Sequence, residues 1–251
     1  FSDIEFRAGG LNHFSILLEA KYRKSGEDGY PKIKENFKSY FGDLVNNHEG
    51  FLSEPGAERG VFFKLFEDYG YLPITTDSHL GEYLQWAYSV ADHRGILDFY
   101  DNYKKKCLSY FESDKIYGSF FDTKSKTFHE RFVPIAEAIL ENFTMEESAV
   151  NIPNNGYIES LPRDIVVEVP AIINEAGITG IKLCDYPTTF GTLLNLQAGV
   201  IQLTTEAVLE KSKQKAYMAL LADPVVTDAG EAEKLLNNML TVQKDFLFYL
   251  N

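Results

Sequence analysis

The chain changes character near residue 149, and that change limits its fold more than any other feature. Up to that point apolar residues recur at helical spacing in several stretches. The sequence then becomes "AVNIPNNGYIESLPRDIVVEVPAII", rich in β-branched residues and broken by Pro, Asn and Gly. Such a block predicts strand, turn, strand. "GITGIKL" adds one more strand, and from Pro187 onward the helical spacing returns to the end. A helical chain carrying one short β block predicts an α+β fold, mostly helical with a small mixed or antiparallel sheet. With 251 residues, 45% of them hydrophobic, the chain can bury a substantial core, and residues 1–251 are expected to form one domain.

The local signals fill in this outline. Residues 1 to 8, "FSDIEFRA", alternate in part and predict a strand running into Gly9-Gly10. Asn12 is placed to cap a helix begun by Phe14, Leu17 and Leu18, with His13 at its head. Residues 31 to 48 predict a helix with Ile33, Phe37, Tyr40, Phe41, Leu44 and Val45 on one face. "LPITTDSH" predicts a loop and Leu80 to Ala87 a short helix. Residues 95 to 112 predict an amphipathic helix through Ile96, Phe99, Tyr100, Tyr103, Cys107 and Leu108, and "HERFVPIAEAILEN" another, kinked near Pro134.

Charge and cysteine content exclude several function classes. The formal charge is −13, which repels phosphate backbones and anionic lipid, so no nucleic acid or membrane partner is expected. No run approaches the roughly 20 apolar residues of a membrane helix. Cys107 and Cys184 are too few for a disulfide framework, which points to a reducing cytoplasm. Phe1 opens inside a strand-like pattern, so the chain is expected to be a piece of a longer protein. The sequence has no Gly-x-Gly-x-x-Gly, Walker loop, Gly-x-Ser-x-Gly or His-Glu-x-x-His.

Three stretches carry candidate chemistry. His13 follows two glycines, which permit another group to come close. A lone histidine at a bend is more often structural than a ligand. "TTDSHLGEY" gathers Asp77, His79, Glu82 and Tyr83 where a loop becomes a helix. Capping is the default role for Asp77; the functional one is proton transfer or ligation. His79 and Tyr83 lie four apart and share a helix face. In residues 151 to 170, Glu168 interrupts an apolar strand, and alternation would turn it to the wet face.

Taken together and in order, "AGGLNHF", "GYLPITTDSHLGEY" and "NIPNNGYIESLPRDIVVEVPAIIN" resemble the NAD- and metal-dependent glycosidases of glycoside hydrolase family four, in the α-galacturonidase, α-galactosidase and α-glucosidase branch. The resemblance implies the carboxy-terminal half of a two-domain enzyme built like lactate and malate dehydrogenases, its Rossmann NAD domain lying outside this chain. It implies that His13 coordinates a divalent ion, commonly Mn2+, together with an upstream cysteine that neither Cys107 nor Cys184 matches. Asn12 and His79 would contact substrate. Asp77 would take the sugar's C2 proton, with Tyr71 and Tyr83 as the alternatives that another branch of the family suggests.

The reaction so implied oxidises C3 through NAD, deprotonates C2 and eliminates at C1 of a small α-glycoside or α-uronide. Such enzymes stand outside the usual two-carboxylate scheme of glycoside hydrolysis. The implied protein is a homo-oligomer, and this chain alone is expected to be inactive and not to bind NAD. Two other readings stand beside it: a non-catalytic, aromatic-rich oligomerisation module, and a 2-hydroxyacid-dehydrogenase-like domain. The second lacks the His-Gly pair that those enzymes carry.

Overall fold

The computed structural model describes residues 3–47, 60–87, 93–112 and 131–250. Strands β1 (Ile4–Leu11) and β2 (Phe14–Tyr22) pair antiparallel with Leu11 opposite Phe14, leaving Asn12 and His13 as a two-residue turn. The helix expected from Phe14 is therefore a strand. Phe14, Leu17 and Leu18 fit either period, but Phe14 and Ile16 both face the core in strand alternation and are fully buried. Pairing with β1 outweighs the weak local preference. His13 closes the turn at φ 59, a left-handed conformation that histidine adopts uncommonly. The register slips between Arg7 and Ala8, which pair with Glu19 and Leu17. This bulge lets Leu17 and Ala20, three apart, enter the same core cluster.

The remaining strands complete an antiparallel sheet in the order β3-β2-β1-β5-β4, where β3 is Leu72–Pro73, β4 Met145–Pro153 and β5 Val166–Asn174; β6 (Gly177–Gly180) also pairs with β5. β1 meets β5 at Gly10 opposite Glu168. The two glycines make this junction possible. A Cβ on Gly9 would lie 2.8 Å from the Glu168 carbonyl oxygen, and one on Gly10 would lie 2.8 Å from Ser15 Cα. Tyr186 Oη donates to the Gly9 carbonyl at 2.9 Å and closes the junction from the other side.

Helices pack on this sheet and on one another. They are α1 (Tyr30–Asn47), α2 (Gly60–Tyr69), α3 (Asp77–Tyr83), α4 (His93–Phe111), α5 (Phe132–Leu140), α6 (Thr188–Leu209), α7 (Lys213–Ala222), α8 (Ala229–Val242) and the single turn α9 (Lys244–Leu247). The predicted helices at 31–48 and 95–112 correspond to α1 and α4. The side chains of Tyr40, Phe41, Leu44, Val45, Ile96 and Phe99 lie outside the described residues. Pro134 sits in the first turn of α5, where a missing N–H leaves no helical bond unmade, so the expected kink is not required.

One core cluster joins Phe14, Ile16, Val167 and Val169 of the sheet to Val61 and Leu65 of α2, Leu80 of α3 and Phe190 and Leu194 of α6. A second joins Leu17 and Ala20 to Tyr30 and Phe37 of α1 and Phe62 and Phe66 of α2. Helix α2 thus serves both clusters, Val61 and Leu65 facing one and Phe62 and Phe66, about 100° around the helix, facing the other.

Candidate functional site

The hairpin turn and α3 meet over β2. The His13 and His79 rings lie 4.1 Å apart between centroids, tilted by 39°. One turn further along α3, Tyr83 stacks on Phe14 at 4.9 Å and 18°. The shared face of His79 and Tyr83 therefore rides on two successive residues of the hairpin. His79 Nδ1 lies 3.8 Å from Glu82 Oε2. His13 is exposed and His79 partly so, and both rings are open to a ligand from outside this surface.

Glu168 supports the turn from below. Its carboxylate accepts from the buried Ser15 hydroxyl at 3.0 Å and, at the 3.5 Å limit, from Asn12 Nδ2. Alternation does turn Glu168 away from the fully buried Val167 and Val169, and on that face it is half-buried because it bonds to the hairpin. The charge inside an apolar strand was the visible signal for this contact. Ser15 gave no such signal, since its partner lies across the sheet.

Asp77 is fully buried, and its carboxylate accepts from the backbone N–H groups of Val61 at 2.7 Å and Phe62 at 2.9 Å. It caps a helix, as the default reading held, but the helix is α2 and not its own. The N-cap position of α3 belongs to Thr76. Of the tyrosines, Tyr83 is half-buried, and burial first, then the Glu82 charge, raise its phenol above the ordinary range. Tyr71 packs against both core clusters, edge-on to Tyr30 at 6.2 Å.

Beside the turn opens a cavity of about 700 Å³, walled by Asn12 and Phe14 of the hairpin region, Tyr83 of α3, Asp164 and Ile165 of the loop before β5, and Gln197 and Glu206 of α6. Asp77, Tyr71, His13 and His79 are not among its lining residues. The loop is held by Asn154, whose fully buried carboxamide donates to the carbonyls of Ile158, Leu161 and Pro162 at 2.9, 3.0 and 2.9 Å and accepts from Ile158 N–H at 2.8 Å. Asn154 is therefore the structural centre of the "PNNGYIESLP" block.

Among the described residues no group of three His, Cys, Asp or Glu side chains could hold a metal ion. The imidazole of His13 is a suitable ligand type, but it can supply only part of a coordination sphere. Both cysteines are free, with Cys184 exposed.

Residues 8–226 match the family 4 glycosyl hydrolase C-terminal domain. The chain belongs to glycosyl hydrolase family 4. Two curated relatives of this family 4 chain are the α-glucosidase of Erwinia rhapontici, 38% identical over the whole chain and 58% of that protein, and the α-galacturonidase of Bacillus subtilis, 28% identical over 95% of the chain and 54% of that protein. The chain thus spans a little over half the length of the relatives it matches. Among solved structures, a candidate glucosidase of Bacillus subtilis superposes with a TM-score of 0.78 at 26% identity, over 95% of this chain and 56% of that one. A 6-phospho-α-glucosidase from gut microorganisms, solved with NAD and Mn2+, shares the fold with a TM-score of 0.70 at 24% identity, over 97% and 56%. The α+β reading and the family resemblance both hold, and neither the interaction module nor the hydroxyacid dehydrogenase is favoured. No helix among the described residues is long and apolar enough to cross a membrane.

Proposed function

We propose that this family 4 domain is the substrate- and metal-binding half of an α-glycosidase that works with NAD and Mn2+ on a small α-glycoside or α-uronide. In this reading residues 1–251 form one unit and a Rossmann half binds NAD. The observation that carries the proposal is the His13–His79 pair at the hairpin tip, beside a cavity whose wall includes Asn12 and Tyr83. When bound, NAD would supply hydride acceptance at C3 of the sugar, and the divalent ion Lewis acidity at its C2 and C3 oxygens.

The chain's own residues would do the rest. His13 presents a ring nitrogen from a turn fixed on both sides by the sheet. Asn12, held by Glu168, offers a hydrogen bond to a sugar hydroxyl. His79 is placed for a hydroxyl or a substrate carboxylate. The resemblance assigns the C2 proton to Asp77, although its carboxylate is buried against α2 and lies outside the cavity lining; Tyr83 is the proposed catalytic group that does line the cavity. Tyr83 carries its proton at neutral pH as an ordinary phenol does, so it can donate toward a departing oxygen rather than take the C2 proton. The C1–O bond then breaks by elimination, and water adds as the sequence reverses.

The same reading places the protein in the cytoplasm as a homo-oligomer, and exposed Leu209, Val242, Phe246 and Phe248 on the C-terminal helices support self-association.

The test uses the complete enzyme that contains this chain. Cleavage of an aryl α-glycoside should require NAD, a divalent ion and reductant together. His13→Ala should abolish Mn2+ binding followed by electron paramagnetic resonance. Turnover without NAD, or an unchanged Mn2+ titration in the variant, would overturn the assignment.

A further inference from the structure

We infer that the cavity beside the hairpin receives an uncharged sugar unit, and that Gln197 on α6 accepts a hydrogen bond from one of its hydroxyls. This rests on the glycosidase reading above and narrows its substrate class.

The first observation is an orphan. Gln197 Oε1 is buried, lines the cavity and has no hydrogen-bond partner among the described residues. Buried acceptors are nearly always paired, and one left alone is costly. A sugar hydroxyl in the cavity would supply the missing donor once the carboxamide turns its oxygen to the cavity side. Gln197 lies on the face of α6 that also presents Ile201 and Thr205 at four-residue intervals, so its carboxamide is carried on a regular helix rather than a loop.

The second observation is the charge of the wall. The ionisable groups of fixed sign that line the cavity are Asp164 and Glu206, both acidic, and no lysine or arginine lines it among the described residues. Lys215 stands behind Glu206, but its Nζ is bonded to Glu206 and Glu210 at 2.5 Å each. A phosphate or a uronate carboxylate against this wall would face Asp164 and the Lys215-paired Glu206, and no lining residue would supply a cation to receive it. Like charges at such range are strongly disfavoured in a partly desolvated site. An uncharged sugar meets no such barrier. Its hydroxyls suit Asn12, Gln197 and Gln202, and its apolar face suits Tyr83, which Phe14 backs.

Family 4 relatives divide on this point, since their names include an α-glucosidase, an α-galacturonidase and a phospho-α-glucosidase. The test takes the complete enzyme with NAD and Mn2+. It compares 4-nitrophenyl α-glucoside and α-galactoside with their 6-phosphates and with the α-galacturonide. An uncharged member of the panel should exceed every anionic one at least tenfold in kcat/KM. Gln197→Leu should raise KM for that substrate about fivefold with kcat within twofold, the effect of one neutral hydrogen bond. Against the deoxy analogue lacking the partner hydroxyl, wild type and variant should converge. A thermal melt of the variant confirms that it folds, and the wild-type panel stands without it. Preference for a phosphorylated or uronate substrate would overturn the inference and leave the glycosidase reading intact. So would an unchanged KM in Gln197→Leu. Failure to cleave any member would overturn both.

Discussion

Removing the Asp77 carboxylate should destabilise α2 before it does anything else. Two backbone N–H groups at the start of α2, those of Val61 and Phe62, end on this carboxylate at 2.7 and 2.9 Å. Val61 is fully buried and Phe62 nearly so, so water cannot readily replace the acceptor. Hydrogen bonds to a charged group contribute about 1.5–3 kcal/mol each. An anion at a helix N-terminus adds up to about 2 kcal/mol in a partly buried setting. Against this stands the cost of burying the carboxylate itself, which Asp77→Ala removes. The net loss for Asp77→Ala is then about 3 kcal/mol. Asp77→Asn keeps one acceptor oxygen and turns an NH2 toward the second amide, and should lose about half as much. For a domain of this size 3 kcal/mol corresponds to a fall of roughly 6–12 °C in Tm. Urea unfolding followed by circular dichroism should show a lower midpoint with an unchanged slope. Hydrogen exchange should accelerate first in residues 60–69. If Asp77→Ala unfolds within about 0.5 kcal/mol of wild type, the carboxylate is not what holds α2 and the reasoning fails. The same variants divide the two roles proposed for Asp77. A structural carboxylate leaves kcat nearly intact once substrate and cofactors hold the fold. A base at C2 loses kcat, and with it the exchange of the C2 proton into heavy water.

Two further outcomes follow from the sheet. Gly10→Ala drives a Cβ onto the backbone of its own hairpin at Ser15 and Phe14, where nothing flexible can yield, and should cost about 3 kcal/mol by urea midpoint; an unshifted midpoint would contradict the close approach. Tyr30 donates to the Leu17 carbonyl at 2.8 Å and accepts from Leu72 N–H at 2.9 Å, and burial pushes its phenol up to about 12. The folded state therefore keeps this proton after the unfolded chain has lost it near pH 10, so stability falls as pH rises from 10 to 12. Tyr30→Phe should be less stable at pH 7 by about 1–2 kcal/mol and should show a shallower decline across that window.

The elements that sequence reveals are those whose pattern is settled locally. Helices α1 and α4 carry long amphipathic periods, and "NIPNNGYIESLPRDIVVEVP" carries turn residues between β-branched runs, so all three are legible. β2 is not, because Phe14, Leu17 and Leu18 satisfy a helical spacing and its strand character comes from pairing with β1. The bulge at Arg7 and Ala8 adds to the difficulty by breaking the alternation. Helix α2 went unread because "VFFKLFEDY" is apolar on two faces, serving both clusters at once. At the site, His13, Asn12, His79 and Tyr83 are brought together much as the motifs suggest. Asp77 stands apart because its partners lie 15 and 16 residues earlier, in a helix the sequence did not reveal. Gln197 carries no motif, and only the empty bonding position of its oxygen marks it.

The two walls of the site differ in how firmly they are held. The hairpin wall is fixed by backbone: Gly9 and Gly10 let β5 and β2 close on β1, Tyr186 ties the Gly9 carbonyl, and Glu168 ties Ser15 and Asn12. His13 is held in its left-handed backbone conformation by strands on both sides. The α3 wall is held by Leu80 in the first core cluster, by the Tyr83–Phe14 stack and by one carboxylate. Asp77 is the first residue of α3 and also the acceptor for α2, so a shift of α2 is felt at His79 and Tyr83. Helix α2 in turn packs Val61 and Leu65 into one cluster and Phe62 and Phe66 into the other. A change in the second cluster therefore reaches both walls: α3 through α2 and Asp77, and the hairpin through Leu17 and Ala20 of β2.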